Sequence, residues 1–235
     1  MNWEKRDCPI KMKLVPYGAG WEDVIIDIQG VHHYYAVSGC LGNGFGGLVE
    51  SLYVLYPHQN HHQLEERYLS KMADFIGDFK DGKYVNVQPK PPDYRGAYHS
   101  VPVQAEFLWD EEGHGVSWTL TRPENEDRDF PLSVRLDEWE SCGSNKITKS
   151  YNYTVAYSDL CYAVGKALTE VMKSHGFTGF HESVWGSDIN VRHLCFLKAC
   201  GMGKPDIFKP RHGKEKGEGD VSSFKDEIEL LLFDM

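Results

Sequence analysis

The sequence predicts an α+β fold: an antiparallel sheet, made of an N-terminal hairpin plus a three-strand meander, with helices packed over one face. Three observations lead there. Apolar residues alternate around Gln29-Gly30 and again in three successive segments after Val103. Stripes at three-and-four spacing follow the hairpin and return after Ser158. The order is two strands, two helices, three strands, then helices, which lacks the alternation that a parallel α/β sheet requires.

Val24, Ile26 and Ile28 alternate with Ile25, Asp27 and Gln29, and a second apolar segment runs from Val31 to Val37, so the pair reads as a β-hairpin. A glycine-rich loop, Ser38 to Gly47, leads into Leu48, Leu52, Leu55 and Tyr56, the buried stripe of a short helix. After Pro57, the spacing of Leu64, Tyr68, Met72, Phe75, Ile76 and Phe79 predicts a second helix, stopped by Asp81-Gly82. Pro89, Pro91, Pro92 and Gly96 argue against a long regular element between Tyr84 and Tyr98 and mark the main internal loop. The meander strands are Val103 to Trp109, Val116 to Arg122 and Phe130 to Leu136, separated by Asp110-Glu111-Glu112-Gly113 and by Pro123 to Asp127. Ser158 is the expected N-cap of a helix carrying Leu160, Val164, Ala167, Leu168, Val171 and Met172, ended by Gly176. Another helix is expected from Ser187 or Asp188 through Val191, Leu194, Leu197 and Ala199 to Gly201. Residues 1–203 read as one domain and 204–235 as a mobile charged linker, with a capping box at Ser223 to Asp226 ahead of a docked helix bearing Ile228, Leu231 and Leu232.

The chain has 235 residues, 41% hydrophobic and 26% charged, enough apolar content for a continuous core. Its 25 Lys and Arg against 35 Asp and Glu give a net charge of −10, which disfavours nucleic-acid binding and favours a basic partner. Charges at Glu4, Lys5, Arg6, Asp7, Lys11 and Lys13 leave no apolar core for a secretory signal, and no stretch approaches the length of a membrane span. Cys8, Cys40, Cys142, Cys161, Cys195 and Cys200 lack paired C-x-x-C spacing and read as thiols of a reducing cytoplasm. The expectation is a cytoplasmic protein with no membrane partner.

Several groups could carry chemistry. Gly42-Asn43-Gly44-Phe45-Gly46-Gly47 matches G-x-G-x-x-G between a strand and a helix, where amides could hold phosphate. The preceding strand belongs to a hairpin, however, and Glu65 and Glu66, at the spacing of a ribose ligand, fall in a helical pattern, so a tight connection is the plainer reading. Cys40 lies near that helix start with His32 and His33 close in sequence, the makings of a nucleophile and base, although alternation sends the two imidazoles to opposite faces. His58, His61, His62 and Glu66 form the densest set of metal-ligand types without an H-E-x-x-H motif. Cys195 and Cys200 are too far apart around a helix to chelate together, and Cys195 reads as packed.

The acidic runs Asp110-Glu111-Glu112 and Glu124 to Asp129 lie on the two meander turns, near Trp109, Trp118 and Trp139. Gathered at one end of the sheet, they would attract a basic protein, with a tryptophan as the anchor. Trp118 is expected in the core.

The stretch Ser38 to Leu52, the segment Phe107-Leu108-Trp109-Asp110-Glu111-Glu112-Gly113 followed by Trp118-x-Leu120, and the run Tyr153 to Gly179 resemble small uncharacterised bacterial α+β proteins of the immunity-protein type. The helix at Leu64 to Phe79 and the tail after Lys204 would be additions. The resemblance implies a cytoplasmic protein that binds and neutralises a toxin, or an accessory protein without chemistry. The sequence reading is therefore a non-enzymatic protein, without a cofactor, that binds a basic partner through Trp109, Asp110, Glu111, Glu112, Glu124, Glu126 and Asp127. The alternatives are a metal-dependent hydrolase built on His58, His61, His62 and Glu66, an enzyme using Cys40, and a nucleotide sensor at Gly42 to Gly47.

Overall fold

A computed structural model describes residues 6–38, 44–56, 75–80, 83–89, 103–124, 129–140, 146–183, 189–205 and 224–235. Among them the fold is α+β, with a three-stranded and a four-stranded antiparallel sheet and a two-stranded ribbon. β1 (Lys11–Gly18), β2 (Trp21–Ile28) and β3 (Val31–Ser38) form the first sheet in that order. The predicted hairpin is β2–β3: Ile28 pairs with Val31, leaving Gln29 and Gly30, both at positive φ, as the two-residue turn. β1 is an additional strand. Its Met12 and Leu14 point inward while Lys11 and Lys13 face out, a period-two pattern carried by few apolar residues.

The short helix expected after the glycine-rich stretch is α1 (Gly44–Leu55), which starts inside that stretch, taking Gly44 to Gly47 as its first turn, and buries Phe45, Leu48, Leu52 and Leu55. Phe75, Ile76 and Phe79, expected on a helix, instead lie in β4 (Phe75–Lys80), which pairs with β5 (Lys83–Pro89). Lys80 pairs with Lys83, so a helix does not end there, and Asp81-Gly82 lies outside the described residues. Leu64, Tyr68 and Met72 lie outside the described residues. β5 also takes the first part of the expected loop, ending at Pro89, where the ladder loses a donor.

The meander is present as β6 (Gln104–Asp110), β7 (Gly115–Thr121) and β8 (Pro131–Trp139), and it gains a fourth strand, β9 (Ile147–Ala156). Its inner face presents Phe107, Trp109, Val116, Trp118, Leu120, Leu132, Val134, Leu136, Tyr153 and Val155. These join the inner residues of the first sheet and of the helices in one hydrophobic cluster. α2 (Tyr157–Ser183) lies over β1 and buries Leu160, Val164, Ala167, Leu168 and Val171. Ser158 is not its own cap: the Asp129 carboxylate accepts both its amide, at 2.9 Å, and its hydroxyl, at 2.7 Å. Gly176, the expected terminus, breaks the helical backbone at φ 69°, ψ 171°.

α3 (Val191–Gly201) is capped by Asn190, whose side chain accepts the Arg192 amide. Ser187 and Asp188 lie outside the described residues, as does the segment 206–223. α4 (Phe224–Leu232) packs on α3, with Leu230 and Met235 buried. Lys198, fully buried on α3, donates to the carbonyls of Leu231 (3.0 Å) and Phe233 (2.7 Å), satisfying the end of α4. Desolvation pushes Lys198 down to about 8. No helix among the described residues is long and apolar enough to cross a membrane.

Candidate functional site

The alternation of β6 decides the fate of the expected tryptophan anchor. Phe107 and Trp109 share the inner face, and Trp109 is 0% exposed, stacked on Phe45 and packed against Trp118, Phe107 and Tyr35. Its indole N–H donates to the Gly44 carbonyl at 2.8 Å. Trp109 is therefore a core residue that ties β6 to α1, and it offers nothing to a partner. Trp118 is likewise buried, as expected.

Meander topology also separates Asp110, Glu111 and Glu112 from Glu124. Asp110 pairs with Gly115 at one end of β7, whereas Thr121 pairs with Ser133 at the other. A seven-residue strand holds those ends about 20 Å apart. Glu124 is at the far end, and Glu126 and Asp127 lie outside the described residues. The Asp110 turn is locally rigid: the Glu112 amide donates to Asp110 Oδ1 at 2.8 Å, and the Glu111 amide to the His114 carbonyl at 3.0 Å. Glu111 turns back against β3, where its carboxylate bonds the Ala36 backbone, and burial raises its pKa.

This contact brings the turn beside the outer face of the first sheet. Tyr34 donates to Asp23 Oδ1 at 2.8 Å, and the pKa of Tyr17, on β1, is raised first by desolvation and then by the nearby Asp23 carboxylate. Both phenols are exposed, Tyr34 by 57% and Tyr17 by 56%. Glu111 lies near enough to Tyr34 to help keep its hydroxyl protonated, behind the larger effect of the Asp23 hydrogen bond. Sequence inspection missed this group because joining residues 17, 23, 34 and 111 requires the register of three strands and one turn.

Beneath the same region is a buried polar chain. His33, 4% exposed, contacts Tyr153 Oη through Nε2 at 2.7 Å and Tyr35 Oη through Nδ1 at 3.1 Å. Tyr35 in turn donates to Glu138 Oε1 at 3.4 Å, and Lys149 lies 3.7 Å from Glu138 Oε2. Because ionised Glu138 only accepts, the chain has one consistent direction: Tyr153 donates to Nε2, and the Nδ1–H donates to Tyr35. His33 thereby joins β3 to β9 and β8. The sequence expectation that His32 and His33 face opposite ways holds, with His32 exposed near Asp27. Both ring nitrogens of His33 are engaged by tyrosine hydroxyls.

Burial lowers the His33 pKa below 6.5, with smaller opposing contributions from Glu138 and Asp27. The unfolded chain therefore takes up this proton before the folded one, and stability falls as pH drops through 6.5. His193, also lowered by burial, acts in the same direction, while raised Glu111 acts oppositely at lower pH. Urea titrations from pH 7.5 to pH 5 are expected to show a declining midpoint, with a shallower decline in His33→Gln. An unchanged slope in that variant would remove His33 from this linkage.

Gly44 to Gly47 form the first turn of α1, and the Phe45 amide there donates to the buried carboxylate of Glu22 at 2.7 Å. The helix start thus has a side-chain acceptor for one of its first amides. Cys40, Gly42, His58, His61, His62 and Glu66 lie outside the described residues. Among the described residues, no group of three or more His, Cys, Asp or Glu is placed to hold a metal ion. Cys195 is packed, as expected, and burial pushes its thiol up to about 11. Comparisons with family models, with curated proteins and with solved structures found no match.

Proposed function

We propose that this is a non-enzymatic binding protein whose Asp110-Glu111-Glu112 end engages a basic protein. Toxin neutralisation of the immunity-protein type is the specific role in which such a surface would serve. The observation carrying this reading is the placement of the acidic turn against β3, beside Asp23 and the exposed ring of Tyr34. Carboxylates around an exposed aromatic ring supply both electrostatic attraction and a contact with large area. The proposed surface keeps Asp110, Glu111 and Glu112, gains Asp23 and Tyr34, and leaves out the buried Trp109 and Glu124 at the far end of the meander, while Glu126 and Asp127 lie outside the described residues.

The test is affinity capture of a basic protein from the source cell at low and high salt, with Asp110→Asn/Glu111→Gln/Glu112→Gln as the comparison. Gln at 111 keeps an acceptor for Ala36. The wild type is expected to retain its partner at low salt and release it at high salt, with association slowed roughly tenfold in the variant. Equal retention by wild type and variant would refute the assignment of this end.

A further inference from the structure

We propose that Tyr17, Asp23 and Tyr34 form a seat for an arginine side chain of the basic partner. The inference rests on the binding reading above and names the chemical group that is recognised. The three residues come from β1, β2 and β3, and the strand register sets them on one solvent-facing patch: Asp23 pairs with Val15 and Ala36, while Tyr17 and Tyr34 extend from the flanking strands. The geometry rests on the Tyr34 hydroxyl, which donates to Asp23 at 2.8 Å, and on the register that sets the exposed Tyr17 ring on the same face. This bond orients the Tyr34 ring beside Asp23 while leaving carboxylate lone pairs for another donor.

Charge selects the guest. Among the described residues, Asp23 accepts the Tyr34 hydroxyl and makes no Lys or Arg ion pair, and Glu111 beside Tyr34 lies against the Ala36 backbone and faces His114. Lys11 shares the outer face toward its other end, in register with Asp27, whereas Lys13 lies in the Ile25 row that also holds Tyr34. With the carboxylates of Asp23 and Glu111 against the one ammonium of Lys13, the half bearing Tyr17 and Tyr34 is net negative and aromatic. A guanidinium fits this combination better than an ammonium: its plane stacks on a phenol ring while its edge donates to the carboxylate.

The probes are a synthetic peptide of alternating arginine and glycine and its lysine counterpart, each titrated into the full chain by calorimetry. The arginine peptide is expected to bind several-fold more tightly. Tyr34→Leu and Asp23→Asn should each weaken it about threefold, and Tyr17→Leu/Tyr34→Leu about tenfold, with unchanged melting temperature. Equal binding of the two peptides, lowered only by Asp110→Asn/Glu111→Gln/Glu112→Gln, would overturn the seat while leaving the acidic end as the binding surface. Failure of both peptides to bind at low salt would overturn both readings.

Discussion

Trp109→Ala is expected to destabilise the fold by about 3–5 kcal/mol, the range for truncating a buried tryptophan. In a chain of 235 residues this lowers the melting temperature by roughly 10 °C. The size follows from position: the indole is 0% exposed, packs against Trp118 at a centroid distance of 4.8 Å, and donates to the Gly44 carbonyl. Truncation opens a cavity between β6 and α1 and also removes the indole hydrogen bond that ties them together. Thermal and urea denaturation of the purified variant measure the loss. A change below about 1 kcal/mol would contradict a core role and return Trp109 to the surface.

Gly201→Ala is the second large effect. A Cβ at this position would lie 2.7 Å from both the amide nitrogen and Cα of Tyr162, so it meets backbone rather than a side chain able to swing away. α3 must separate from α2, disturbing Phe196, Leu197 and Cys200 together. Overpacking typically costs about 1–3 kcal/mol, and the upper end is expected when the obstacle is main chain. Gly203→Ala is the control: nothing lies within 4 Å of its would-be Cβ, but φ is +68°, so its penalty is backbone strain of about 1 kcal/mol. Equal chemical-denaturation midpoints for wild type and Gly201→Ala would show that the two helices do not approach so closely.

The elements legible in the sequence are those whose periodicity coincides with strong local punctuation. Gln29-Gly30 marks the β2–β3 turn, and Asp110 to Gly113 marks the β6–β7 turn. β9 escaped because its first four residues are all exposed and only Tyr153 and Val155 point fully inward, leaving little apolar alternation. β4 was misread because Phe75, Ile76 and Phe79 satisfy helical spacing, while the Asp81-Gly82 hairpin signal agrees with the strand. At the candidate site, Asp110 to Glu112 are visible as a run, but Tyr34 gains its meaning from Asp23 on the neighbouring strand. His33 and Tyr153 are 120 residues apart, a pairing that no local pattern encodes.

The placement of α2 over β1 has a consequence for biosynthesis. Arg6 binds Asp159 at 2.8 Å, its amide contacts the Tyr162 hydroxyl, and these partners lie about two thirds of the chain later. At translation rates of about 5–20 residues per second, the nascent first sheet waits on the order of ten seconds for the helix that covers Met12 and Leu14. Until then its greasy underside is open to the wrong neighbours, so the yield of native protein is governed by how well that interval is shielded.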